Sequence, residues 1–126
     1  MEEEIYYFFR EHMDVLPIYE RLEEEIRVRV PEVRIKVSKT QISFSNRRGF
    51  AAVSFLPVRK AKERPPVWLT VTFGLACRLA SDRIDAVVEP YPNRWTHHVM
   101  VGCTEEIDEE LLSWIKEAAD FSAAKR

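Results

Sequence analysis

The chain has little glycine and little cysteine, and each scarcity excludes a class of chemistry. Only three of its 126 residues are glycine, and Gly49, Gly74 and Gly102 stand far apart. A dinucleotide fingerprint or a phosphate loop needs clustered glycines so that backbone N–H groups can approach phosphate oxygens, so neither is present. The two cysteines, Cys77 and Cys103, form no Cys-x-x-Cys pair. That spacing removes a structural zinc site and a thioredoxin-type centre. They read instead as reduced, mostly buried thiols that act as small hydrophobes. No apolar run approaches about 18 residues, so no membrane span is expected.

An excess of positive charge is also missing. Lys plus Arg is 19 against 21 for Asp plus Glu, a net charge of −2. The chain as a whole therefore has no long-range attraction for polyanions, and net charge gives no support to a nucleic-acid partner beyond a local basic patch. Met1 is followed by Glu2, Glu3 and Glu4, acidic where a secretory signal is basic, so a cytoplasmic protein is expected. There is no Gly-x-Ser-x-Gly elbow, no His-Glu-x-x-His and no signature around either cysteine, so no nucleophile, metal or cofactor is assigned.

What is present fits one globular domain, residues 1–126. The chain is 46% hydrophobic and 32% charged, and its length allows burial of roughly two-thirds of the surface of the unfolded chain. Ile5, Phe8, Phe9 and Met13 make one helical stripe over 3–13. Asp14 is a candidate N-cap for a second helix with Pro17 in its first turn, Ile18, Leu22 and Ile26 on its inner face, and an end near Val30 before Pro31.

From there the period is two. Val33, Ile35 and Val37 alternate with Arg34 and Lys36; after Ser38 and Lys39 the apolar set moves to Ile42 and Phe44, which requires a bulge or a turn. Asn46, Arg47, Arg48 and Gly49 make a hairpin, with Gly49 free to take a positive φ. Residues 50–56 return as a strand, 57–66 form a basic, solvated and mobile loop, and Val67, Leu69, Val71 and Phe73 give the clearest strand. A short strand at 86–88 and another over 95–101 precede a final helix capped by Thr104 or Asp108, with Lys125 and Arg126 at its negative end. The order predicts an α+β fold: a mostly antiparallel sheet of about five strands, two N-terminal helices and one C-terminal helix.

Three clusters are candidates for chemistry. Lys39 and Gln41, projecting beside Ser43 with Arg47 and Arg48 at the hairpin beyond, present donors suited to a carboxylate or phosphate; the competing reading is a solvated strand and a charged tip. Arg94, Trp95, Thr96, His97 and His98 form the second. Adjacent strand residues face opposite sides, so His97 and His98 cannot share one pocket on a regular strand. Whichever lies in a cleft is a candidate acid or base, against a structural, hydrogen-bonded role. Trp68, Thr70 and Thr72 form the third, a wall with hydroxyls that suits a small ligand, the last helix or a homodimer contact equally.

The stretch from Val37 to Phe44, then Arg47, Arg48, Gly49, Phe50 and Ala51, resembles a bacterial family of domains of unknown function, family 5655. The likeness continues through Leu69, Thr70, Val71, Thr72, Phe73, Gly74 and Leu75, and through Glu89, Pro90, Tyr91, Pro92, Asn93, Arg94, Trp95, Thr96, His97 and His98. The resemblance implies stand-alone domains, or tails on predicted transport proteins or beside nuclease-like domains, and it carries no activity or catalytic residue. At the level of fold the layout is similar to small frataxin-like domains. The residues themselves favour a non-enzymatic binding module for a small anionic ligand, lined by Lys39, Gln41, Arg47, Arg94 and His98 with Trp68 as a wall. The alternatives are an enzyme using His97 or His98, and a partner-binding or self-associating adaptor.

Overall fold

A computed structural model describes residues 2–124; the expected placement of Lys125 and Arg126 lies outside that range. Helices α1 (Glu2–Phe8) and α2 (Leu16–Arg29) are followed by strands β1 (Arg34–Val37), β2 (Gln41–Ser45), β3 (Gly49–Ser54), β4 (Leu69–Leu75), β5 (Ala86–Tyr91) and β6 (Arg94–Val101), and then by helix α3 (Glu109–Ala124). The six strands form one sheet in the order β1-β2-β3-β4-β6-β5, every neighbouring pair antiparallel. No helix among the described residues is long and apolar enough to cross a membrane.

There is one strand more than expected, and the phase change at 38–40 is the reason. Ile35 pairs with Phe44 and Val37 with Ile42, so the odd apolar set of β1 and the even set of β2 lie on one face of a hairpin. Ser38 closes the turn by donating both its N–H and its hydroxyl to the Gln41 carbonyl, each at 2.9 Å. That closure lifts Lys39 and Thr40 to the tip.

The first helix is shorter than its stripe suggested. Phe9 is fully buried, but Met13 is exposed, and the chain turns between them. A seven-residue helix has no stability of its own in water, so burial of Ile5 and Phe9 sets its extent. The expected cap by Asp14 does not form. Val15 occupies that position in helical conformation, and the corner satisfies the free N–H groups through Val15 N to His12 O and Leu16 N to Met13 O. Asp108 does cap α3, accepting from the Leu111 N–H at 3.1 Å.

Cross-strand register sorts the sheet into two faces. Ile35, Phe44, Ala51, Phe73, His97 and Val87 form one row; Ile42, Val53, Val71 and Val99 form the next. Both rows face the helices, where Tyr19 stacks on Phe44 and Trp114 on Phe73. The opposite face carries Lys36, Ser43, Ala52, Thr72, His98 and Ala86 in one row and Gln41, Ser54, Thr70 and Met100 in another.

The basic loop is tied to the sheet by specific hydrogen bonds. Arg59 binds Asp85 at 2.8 Å and the Met100 carbonyl at 3.2 Å, and the Thr70 hydroxyl donates to the Leu56 carbonyl at 2.7 Å. The loop thus folds over one end of the second face and buries Thr70 and Met100 completely. Two further positions differ from the sequence pattern. Gly49 does not take a positive φ; Asn93, at φ 66°, is the left-handed residue, following Pro92 in the β5–β6 turn. Cys77 and Cys103 are both exposed, because they fall in loops beyond the ends of β4 and β6.

Candidate functional site

The loop covers one end of the second sheet face and leaves a hollow of about 600 Å³ beside it. Thr72 and His98 form its floor, directly paired across β4 and β6. The Thr72 hydroxyl lies 2.8 Å from His98 Nδ1, which fixes the ring and leaves Nε2 without a hydrogen bond among the described residues. Burial holds the His98 imidazole below its ordinary range, so it is neutral near pH 7.

One wall comes from the β1–β2 turn and the start of β2. Lys39 is exposed at the tip, and Gln41 Nε2 donates to the Ser43 hydroxyl at 2.9 Å. The facing wall is the corner after α1, which contributes Arg10 and His12. Phe55, just after β3, holds that corner: the His12 ring lies 4.4 Å from it and Phe8 stacks on it at 5.9 Å. Among the lining residues Glu11 is the one acid, and neither Lys39 nor Arg10 forms an ion pair among the described residues. Uncompensated cations, a neutral imidazole and hydroxyls on one concave surface can take an anion without having to displace a protein carboxylate.

The candidates named from sequence divide into three groups. Lys39, Gln41 and His98 line this hollow together. Arg94 lines a smaller one of about 220 Å³ that shares Gln41 and Thr72 with the first. Its guanidinium lies across Gly74 so closely that an added Cβ there would sit 2.5 Å from Arg94 Cζ, so the missing side chain creates the berth. Arg47 and Trp68 are elsewhere. Arg47 stands exposed at the far end of β2, about 17 Å of strand from Lys39. Trp68 is half-buried, edge-on to Phe55 at 5.8 Å with Arg64 over its face, and so braces the wall from behind.

His97 goes to the other face. It is completely buried and stacked on Phe73, and its Nε2 accepts the Leu79 N–H at 3.0 Å. Burial lowers its pKa; the carbonyls of Phe73 and Trp95 near the ring offset this in part, without the geometry of a full hydrogen bond at Nδ1. It is a structural histidine that ties the loop after β4 to the core. Arg10, His12 and Phe55 carried no sequence signal of a site, since it exists only where the corner meets the end of β3. No group of three or more His, Cys, Asp or Glu among the described residues could hold a metal ion.

Residues 6–122 match a family model described as a domain of unknown function (DUF5655), and the chain belongs to that family. No curated protein and no solved structure matches it.

Proposed function

We propose that this DUF5655 domain is a non-enzymatic binding module for a small anion, a carboxylate or phosphate. The observation that carries the reading is the shared hollow: Lys39, Gln41 and His98, separate in sequence, line it with Arg10, and neither cation forms an ion pair among the described residues. The anion sits between Lys39 and Arg10 and takes further hydrogen bonds from Gln41 and the His98 ring. Arg94, next door, adds positive potential. A cytoplasmic setting goes with this reading, since two exposed, unpaired thiols suit a reducing compartment.

Thermal unfolding with inorganic phosphate tests it. At ten times its dissociation constant a ligand stabilises the native state by about 1.4 kcal/mol, or roughly 5 °C for a chain of this size. Wild type should show that gain and Lys39→Ala should lose it. An equal gain in both proteins would remove Lys39 from the site.

A second reading rests on the Thr72–His98 bond, which holds an imidazole in the hollow that Lys39 also lines, as an acid–base role would require. His98→Gln separates the two: the amide keeps a donor for binding, whereas any turnover would stop.

A further inference from the structure

The anion hollow has a neighbour of about 640 Å³, and the two meet along Phe8, Arg10 and Lys39, which line both. Beyond that divide the character changes. Tyr7 stands two-thirds exposed with its ring under the Arg10 guanidinium, 4.0 Å from centroid to Cζ, and Arg10 also donates to the Tyr7 carbonyl at 2.8 Å. Phe8 and the half-buried Val37 extend this apolar strip. Glu3 and Glu4, one helical turn before Tyr7 and Phe8, line the second hollow as well. Helical spacing therefore runs the α1 side of that hollow from acids at Glu3 and Glu4, through Tyr7 and Phe8, to Arg10, which with Lys39 also lines the first hollow beside Thr72 and His98.

A bare inorganic anion would use only the first half. Nothing in the packing of the core requires an aromatic ring at position 7, which faces solvent, while Arg10 spends its contacts holding that ring in place. We propose that the ligand is an elongated zwitterion: an anionic group between Lys39 and Arg10, an alkyl or aryl middle over Tyr7, Phe8 and Val37, and an ammonium group beside Glu3 and Glu4. Aminoalkyl phosphates and ω-amino acids have this order of charge. The inference rests on the anion-binding reading and specifies the rest of the molecule.

Calorimetric titration at low salt with inorganic phosphate, hexyl phosphate and 6-aminohexyl phosphate separates the two. Hexyl phosphate should bind about ten-fold tighter than phosphate, from apolar area removed from water. The terminal amine should add about three-fold more, as a solvent-exposed ion pair does. Tyr7→Ala, at an exposed position, should abolish most of the alkyl gain; the double change Glu3→Gln and Glu4→Gln should abolish only the amine gain; Lys39→Ala should weaken all three alike. Equal affinity for the three compounds would overturn the zwitterion and leave the anion site standing. Failure of all three to bind would remove both.

Discussion

His97 and His98 are neighbours in the chain, and the sheet gives them opposite surroundings. His97 lies among Phe73, Val99 and the helix layer, completely buried, with one nitrogen taken by the Leu79 N–H. His98 lies on the second face, half-buried, its Nδ1 held by Thr72 and its other nitrogen open to a hollow lined by Lys39 and Arg10. Period-two geometry is the whole cause of the difference: one residue along a strand exchanges core for cleft. The same alternation divides the sheet into a face that supplies stability and a face whose polar groups are only partly covered, by the loop carrying Arg59.

Truncation should separate the two histidines most. His97→Ala should cost about 3 kcal/mol in urea unfolding, because it opens a cavity against Phe73 and strands the Leu79 N–H. His98→Ala should cost under about 1 kcal/mol yet weaken phosphate binding, since it removes a partly exposed ring from the floor. Similar stability losses for the two would contradict the assignment of faces.

Acid should expose the buried imidazoles as a loss of stability. Burial lowers both imidazole pKa values, so the unfolded chain takes up protons first as pH falls. Stability is therefore full above about pH 6.5, the ordinary value, and declines below it toward the depressed native values. The midpoint of unfolding measured between pH 7 and 5 should fall in wild type. Part of that slope should survive in His98→Gln, because His97 remains and its pKa is lowered too.

The smallest effect is expected at Gly74→Ala. The new methyl group would displace only the mobile end of Arg94, so stability should change by less than about 1 kcal/mol. Phosphate affinity should drop about two-fold as that charge moves away, a weak through-solvent effect. Loss of folding instead would mean that Arg94 cannot leave its berth.

How much of this was legible in the sequence depends on the range of the interaction. Strand β4 and the inner faces of α2 and α3 were plain, because each is a periodic run with its partners at fixed spacing. The phase slip near Ser38 announced a break, and only cross-strand register decided that it is a hairpin whose tip presents Lys39. Arg47 is close to Lys39 in sequence, but the length of β2 separates them. Arg10 and His12 were hidden for the reverse reason. They belong to a corner whose position depends on Phe55, more than 40 residues away, and no local pattern encodes that contact.

The most direct measurement is an NMR titration with inorganic phosphate, following the two imidazoles, Lys39 and Arg47 in one series of spectra. Saturable shifts at His98 and Lys39, with His97 and Arg47 unmoved, are the predicted result. Shifts centred on Arg47, or none at His98 while phosphate binds elsewhere, would contradict it.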